Sequence, residues 1–242
     1  MKIPCSPRAL WFGALLVGAV ATTYSQQSQP TPPGPITWDL LISKNFLPYH
    51  QLKADDIPID DHNFPKYGLF VKCFVQPSYR YIASRSPGGY FYVHITDWTI
   101  YSGLNKNETS RKSNARDMKA VLTTAQLMLD LHEIYARQLA AIAPGELPSG
   151  EGPTFQQAEA QLVGRVTALV QTTLASAQKE SEQMFDATNG GRDQKKVREF
   201  AATIKKRLAS IPAPTPAPVT PFISPSVAPV SVASPTATPS PK

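Results

Sequence analysis

Between Met118 and Leu129 the apolar residues fall at Met118, Val121, Leu122, Ala125, Met128 and Leu129, the three-and-four spacing of one helix face. Residues 121–137 hold no Gly or Pro and few β-branched side chains, so the pattern predicts a central helix over 113–142, stopped near Pro144-Gly145. Leu162, Val166, Leu169, Val170 and Leu174 form a second stripe, which predicts a helix over 155–185 with Gln156, Gln157, Glu159, Gln178, Lys179 and Glu180 largely outside it. Gly190-Gly191 breaks that pattern. Val197, Phe200, Ile204 and Leu208 then carry a third helix over 192–210, whose other face holds Lys195, Lys196, Lys205, Lys206 and Arg207 and reads as a solvated face.

Upstream of the central helix the period changes to two. Leu69, Val71, Cys73 and Val75 alternate with Phe70, Lys72, Phe74 and Gln76, and residues 79–84 form a second short β-rich run. Ser86-Pro87-Gly88-Gly89 is turn chemistry. Residues 90–98 alternate again, with Phe91, Val93 and Ile95 on one face and Tyr90, Tyr92, His94, Thr96 and Trp98 on the other. These runs predict an antiparallel sheet of three or four strands. The aromatic face is either a binding surface or, more commonly for such a face, one packed beneath a helix with His94 an ordinary hydrogen-bonded strand residue. Residues 102–117, with Lys106, Arg111, Lys112 and Arg116, read as a charged loop, and residues 148–153 as a surface connection. Residues 45–66 hold Pro48, Pro58 and Pro65 with Asp55, Asp56, Asp60, Asp61 and His62. Calcium-loop spacing is absent and Pro58 interrupts the run, so a solvated loop is the expectation rather than a cation site.

The ends of the chain look unlike its middle. Lys2 and Arg8 precede an apolar run over residues 9–21, followed by small residues near Ser25, which predicts a signal peptide over 1–25. Residues 26–35 read as a polar, Pro-rich linker, and 36–210 as the domain. Residues 211–242 alternate Pro with Ala, Val, Ser and Thr and carry one charge, Lys242, the composition of a disordered tail. The protein is thus expected to be exported, periplasmic or extracellular and associated with the cell envelope, with no transmembrane span after signal cleavage. Loss of Lys2 and Arg8 takes the formal charge from +6 to +4, too small an excess to argue for nucleic acid. Cleavage leaves Cys73 as the one cysteine, so no internal disulfide can form, and its apolar surroundings predict a buried, inert thiol.

Two segments carry a family pattern. Gln126, Asp130, Glu133, Tyr135, Ala136 and Arg137 match the end of a helix motif written H-E-Q-G-H-F-D, two residues, then E-x-Y-A-R. Residues 185–191, followed by Gln194, resemble a later motif like Y-D-x-x-T-x-H-G and a glutamine through Asp186, Thr188 and Gly191, with one residue fewer between the aspartate and the threonine than the motif has. Thr37, Trp38 and Asp39 add a shorter T-W-D match within residues 36–41; the alternative there is a strand edge with a core tryptophan. The chain thereby resembles a bacterial family of predicted secreted zinc-dependent proteases. The resemblance implies an α+β, zincin-like fold: a small antiparallel sheet against a long central helix and two further helices. In H-E-x-x-H, two histidines four apart on one helix face ligate zinc and the glutamate activates the bound water. Here Thr124 and Met128 stand in the histidine positions, Ala125 in the glutamate position, and Gly190 where the family's later histidine, taken as the third ligand, belongs. Thr and Met are poor zinc ligands beside imidazole, and alanine cannot act as a base.

No cofactor, metal site or catalytic residue is therefore expected. His132-Glu133 offers no substitute, because Ala136 stands where a partner histidine would be needed; Glu133 and Arg137, four apart, instead suggest an ion pair or a tether to a neighbouring element. Asn107-Glu108-Thr109 fits a glycosylation acceptor, a triplet common by chance and discounted given the bacterial resemblance. The expected role is non-catalytic binding or scaffolding, with a peptide or an envelope protein as candidate partner and the groove between sheet and central helix as candidate site. The alternatives are an active hydrolase using an unrecognised catalytic set, and a structural envelope protein whose tail supplies reach.

Overall fold

The computed structural model describes residues 37–61, 68–113 and 117–213. The expected signal peptide, the linker, His62 and the tail beyond Ala213 lie outside them. Among the described residues the fold is mixed: four α-helices with small antiparallel sheets.

The chain enters through a short helix, α1 (Trp38–Ser43). Thr37 caps it, its hydroxyl accepting from the Leu40 N–H at 3.3 Å, and Asp39 lies in the first turn, where the helix dipole favours a carboxylate. The T-W-D segment is thus a helix start, and the strand-edge alternative for it falls. Strand β1 (Phe46–Pro48) follows, and then a loop that Leu52 and Ile57, both buried, pin to the core.

The main sheet is built on β3 (Cys73–Arg85) and β4 (Phe91–Asn105), paired antiparallel along their whole lengths. The runs at 69–76 and 79–84, separate in the sequence pattern, belong largely to one strand that continues through Pro77. A proline is tolerated there because β3 is an edge strand, paired among the described residues only with β4. On the other side of β4, β1 pairs with residues 103–105 and β6 (Ser149–Gly152) with residues 91–94. A two-stranded ribbon pairs β2 (Leu69–Phe70), at the start of the run that reads as strand, with β5 (Ser110–Arg111), which lies within what reads in the sequence as loop.

Two sequence expectations about this sheet are corrected. The register slips by one between Arg80 and Tyr81, so Ile95 faces Tyr81 while Asp97 faces Arg80, and the bulge falls at Thr96. Inward positions on β4 therefore run Val93 and Ile95 before the bulge, then Trp98, Ile100 and Leu104 after it. Trp98 lies on the core side, donating its indole N–H to the Leu139 carbonyl at 2.9 Å, while Tyr90, Tyr92 and His94 are exposed rather than under a helix. Residues 148–153, read as a surface connection, contain β6. Its Gly150 is buried because a Cβ there would sit 1.9 Å from the Ala158 carbonyl oxygen, so only glycine lets the strand meet the helix above it.

Helix α2 (Met118–Ala140) starts five residues later than 113, capped by Asp117, whose carboxylate accepts from the Ala120 N–H at 3.0 Å. It is buried on several sides. Ala136 and Leu139 meet Val75, Val93 and Ile100 of the sheet, with Ala158, Leu162, Val166 and Val170 of α3 (Phe155–Ala187). Ala125 and Leu129 pack with Leu52, Ile57, Cys73 and Leu104. Leu127, Leu131 and Ile134 pack with Met184 of α3 and with Val197 and Ile204 of α4 (Gln194–Ser210). A helix that buries apolar side chains on several sides belongs at the centre of a core, and each Leu, Ile, Val or Met side chain so buried contributes about 1.5–3 kcal/mol. The domain does not end at 210: Ile211 packs against the cluster shared by α2 and α4, and its carbonyl accepts from Arg137.

Candidate functional site

The two motif segments, some sixty residues apart, meet. Thr124 is buried on α2 at 1 % exposure, its hydroxyl donating back to the Ala120 carbonyl at 2.9 Å. Against it lies the turn between α3 and α4, where Asn189, Gly190 and Gly191 have φ of 53°, 66° and 83°. A Cβ on Gly191 would stand 2.1 Å from Thr124 Oγ1, so turn and helix touch with no space for a side chain between them. Met128, one turn further on, packs in the cluster shared with α4, and Ala125 is fully buried beside Leu104 and Leu129.

The residues that match the second motif build that turn. Thr188, fully buried, donates its hydroxyl to the Phe185 carbonyl at 3.1 Å and accepts from the Gly191 N–H at 3.2 Å. Gln194 donates its amide to the Gly191 carbonyl at 2.8 Å. Asp186 is exposed, and its carbonyl accepts from the Asn189 N–H. The helix therefore ends in consecutive left-handed residues whose backbone groups are held by the two side chains that the motif keeps.

The residues that match the first motif form a polar seam along α2. Gln126 accepts from the Leu52 N–H at 2.7 Å and donates to the His50 carbonyl at 3.3 Å and to Asp130 Oδ1 at 2.8 Å. Tyr49 donates its hydroxyl to the same Asp130 oxygen at 3.0 Å. Glu133 accepts from Ser102 on β4 through one oxygen and from Arg137 Nε at 2.7 Å through the other. Arg137 Nη1 reaches the carbonyls of Leu208 and Ile211 at 3.3 and 3.1 Å, and its guanidinium lies over the Tyr49 ring, 6.0 Å from the centroid. Both sequence readings of Glu133 and Arg137 thus hold, ion pair and tether together. Tyr135 bonds Glu180 of α3 at 2.9 Å, and Glu180 also pairs with Arg207 of α4.

Tyr49 and Ser102 are members of this seam that sequence reasoning misses. No local motif marks them. The available signal is Ser102's place between Ile100 and Leu104 on a strand, an inward position for a hydroxyl, which becomes visible only after the Thr96 bulge resets the alternation.

The electrostatics suit a buried frame rather than a reactive centre. Desolvation raises the pKa of Asp130, with hydrogen bonds from Gln126 and Tyr49 and the charge of Arg137 pulling the other way. Burial, reinforced by the Asp130 carboxylate, raises that of the Tyr49 phenol. Cys73 is fully enclosed and its thiol is pushed far up by burial, which makes it inert. Burial lowers the pKa of His132, leaving a neutral ring whose Nδ1–H donates to the Met128 carbonyl at 2.8 Å.

The residues at positions 124, 125, 128 and 190 do not fit a zinc ion. Thr124 has its hydroxyl engaged, Met128 offers a thioether within an apolar cluster, and neither Ala125 nor Gly190 has a side-chain donor. Among the described residues no group of three or more His, Cys, Asp or Glu is placed to hold a metal. In the acidic loop, Asp56 accepts from the Lys53 N–H at 2.7 Å and pairs with His50 at 2.9 Å, and Asp61 accepts from the Ser113 N–H at 3.0 Å. The groove expected between sheet and central helix is filled by core side chains. A cleft of about 280 Å³ lies instead between α2 and α3, lined by Tyr135, Leu139, Ile142, Leu169 and Thr173 among others, at the lower edge of the size that holds small ligands. No described helix is long and apolar enough to cross a membrane. Comparison with protein-family models, curated proteins and solved structures finds no match.

Proposed function

We propose that this chain is an exported, non-catalytic binding or scaffolding protein on a zincin-like frame, a degenerate relative of the predicted secreted zinc-dependent proteases that it resembles. The observation that carries the proposal is the contact between Thr124 and Gly191. Motif matching assigns metal positions to Thr124 and to Gly190 independently, from segments far apart in the chain, and these segments touch. The residues that the motifs retain support the same reading. Gln126, Asp130, Glu133 and Arg137 hold α2 to its neighbours, while Thr188 and Gln194 shape the turn. In a relative that keeps its frame after losing its chemistry, the framing residues are the ones that persist. Binding then belongs to the surface, since the space between sheet and helix is occupied.

Metal content tests this. After dialysis the natural protein should hold no zinc. The variant Thr124→His/Met128→His/Gly190→His should gain about one zinc per chain, because a helix and a turn already in contact need only part by the width of the new rings. Adding Ala125→Glu should supply a base beside a bound water, though activity also needs oriented neighbours around the ligands. Tight stoichiometric zinc in the natural protein would overturn the degenerate-site reading. A folded triple variant that takes up no zinc would refute the assignment of the three positions.

A further inference from the structure

The chain's positive charge is concentrated in one element. Helix α4 carries six basic side chains against one acidic, Glu199, which is +5 of the chain's formal +6. The rest of the sequence is close to neutral. Val197, Phe200, Ala201, Ile204 and Leu208 turn inward onto α2 and α3. At 100° per residue the opposite side is centred on Lys195 and Lys206, with Arg198 and Lys205 to one flank, Lys196 to the other, and Glu199 beside Lys206 as its one negative charge. All five basic side chains are exposed, whereas Arg207 is half-buried and paired with Glu180. From Lys195 to Lys206 the strip is about 16 Å long.

We propose that this face of α4 docks the protein on an anionic phospholipid surface. Phosphate headgroups present a plane of negative charge, and each Lys or Arg brought to such a plane adds a similar favourable increment within a Debye length. Four of the five side chains are lysines, point charges suited to headgroups and lacking the guanidinium fork that reads base edges. The strip contains no Asn or Gln to read a groove. None of the exposed large hydrophobic side chains of the described residues lies on α4, and its apolar stripe is committed to the core. The contact is therefore superficial and reversed by salt, unlike that of an amphipathic helix sunk into the interface. It does not depend on the kinship proposed above.

Two full-length variants of equal formal charge separate location from total charge. One is Lys195→Gln/Lys196→Gln/Lys205→Gln/Lys206→Gln. The control is Lys44→Gln/Lys53→Gln/Lys119→Gln/Lys179→Gln, four exposed lysines on other elements. Both keep the apolar run at residues 9–21, so any binding through that run is common to them. The reading is co-sedimentation with phosphatidylcholine vesicles, with and without about one-third phosphatidylglycerol, at roughly 0.05 and 0.3 M salt. The affinity gained from phosphatidylglycerol should fall at least about tenfold in the α4 variant and less than about threefold in the control, and should vanish at the higher salt. Equal losses in the two variants would overturn the proposal, as would no loss in either. Binding through α4 to a short DNA duplex more tightly than to the anionic vesicles would overturn it in favour of a nucleic-acid partner. Should the four-site variant misfold by circular dichroism, Lys195→Gln/Lys206→Gln must show a partial loss of the same selectivity.

Discussion

At the scale of single residues the molecule is governed by a polar seam inside an apolar helix. Gln126, Asp130, Glu133 and Arg137 are spaced four, three and four apart, one face of α2, and that spacing was plain in the sequence. Their partners were not, because Tyr49 and Ser102 come from segments that only the folded chain brings close. Replacing Arg137 with Ala leaves Glu133 buried beside Ser102 without its countercharge and removes the hold on Leu208 and Ile211. Urea unfolding should show a loss of about 3–5 kcal/mol; a loss below about 1 kcal/mol would mean that the pair is dispensable. Asp130 has the opposite character. Its folded-state pKa is raised, chiefly by desolvation, so the native state binds its proton more readily than the unfolded chain does. Its contribution is full below the ordinary aspartate pKa, where both states hold the proton, and is lost as pH rises through the window from that value to the raised one. Asp130→Asn keeps one oxygen for Tyr49 and Gln126 and removes the buried charge. It should raise stability at pH 7 and flatten the decline of stability above about pH 4. A steeper decline in the variant would show that the carboxylate is stabilising where it lies.

Elements were legible where many side chains repeat a period, and illegible where one residue changes the phase. Helices α3 and α4 fall within about two residues of their expected limits, because long apolar stripes average over local exceptions. The Thr96 bulge reverses the inward face of β4 by adding a single residue, which no alternation rule can anticipate. Strand β6 is hidden for another reason: its inward positions are Gly150 and Gly152, so a strand pressed against a helix leaves no hydrophobic signature. That explanation predicts opposite signs for one substitution at two glycines. Gly150→Ala drives a methyl into the Ala158 carbonyl and should destabilise by about 3 kcal/mol. Gly164→Ala, in the exposed middle of α3 with nothing within 4 Å, should stabilise by about 0.5–1 kcal/mol. Thermal unfolding of the two variants reads both values, and a harmless Gly150→Ala would mean that β6 does not lie against α3.

For the whole molecule, the boundary between domain and tail and the meeting of the two motifs are the features that define it. A composition shift marked residue 211 as the start of the tail, yet Ile211 still belongs to the core and satisfies Arg137. Ending the chain after Ala213 should leave the unfolding midpoint unchanged, while ending it after Ser210 should lower it by several degrees, the effect of losing about 1.5–3 kcal/mol of charge-assisted bonding. Equal midpoints would show that Ile211 contributes nothing. The central claim is that α2 and the turn between α3 and α4 close on each other at the positions where the resembling family places its metal. A double-mutant cycle on Thr124→Ala and Gly191→Ala measures that closure directly. Alone, Gly191→Ala combines a left-handed backbone with a methyl 2.1 Å from Thr124 Oγ1 and should cost about 3 kcal/mol or more. With Thr124 already cut to Ala, the overlapping hydroxyl is gone, and the same substitution should cost at least about 1 kcal/mol less. Effects that add within about 0.5 kcal/mol would contradict the contact, and with it the observation on which the proposed degenerate site rests.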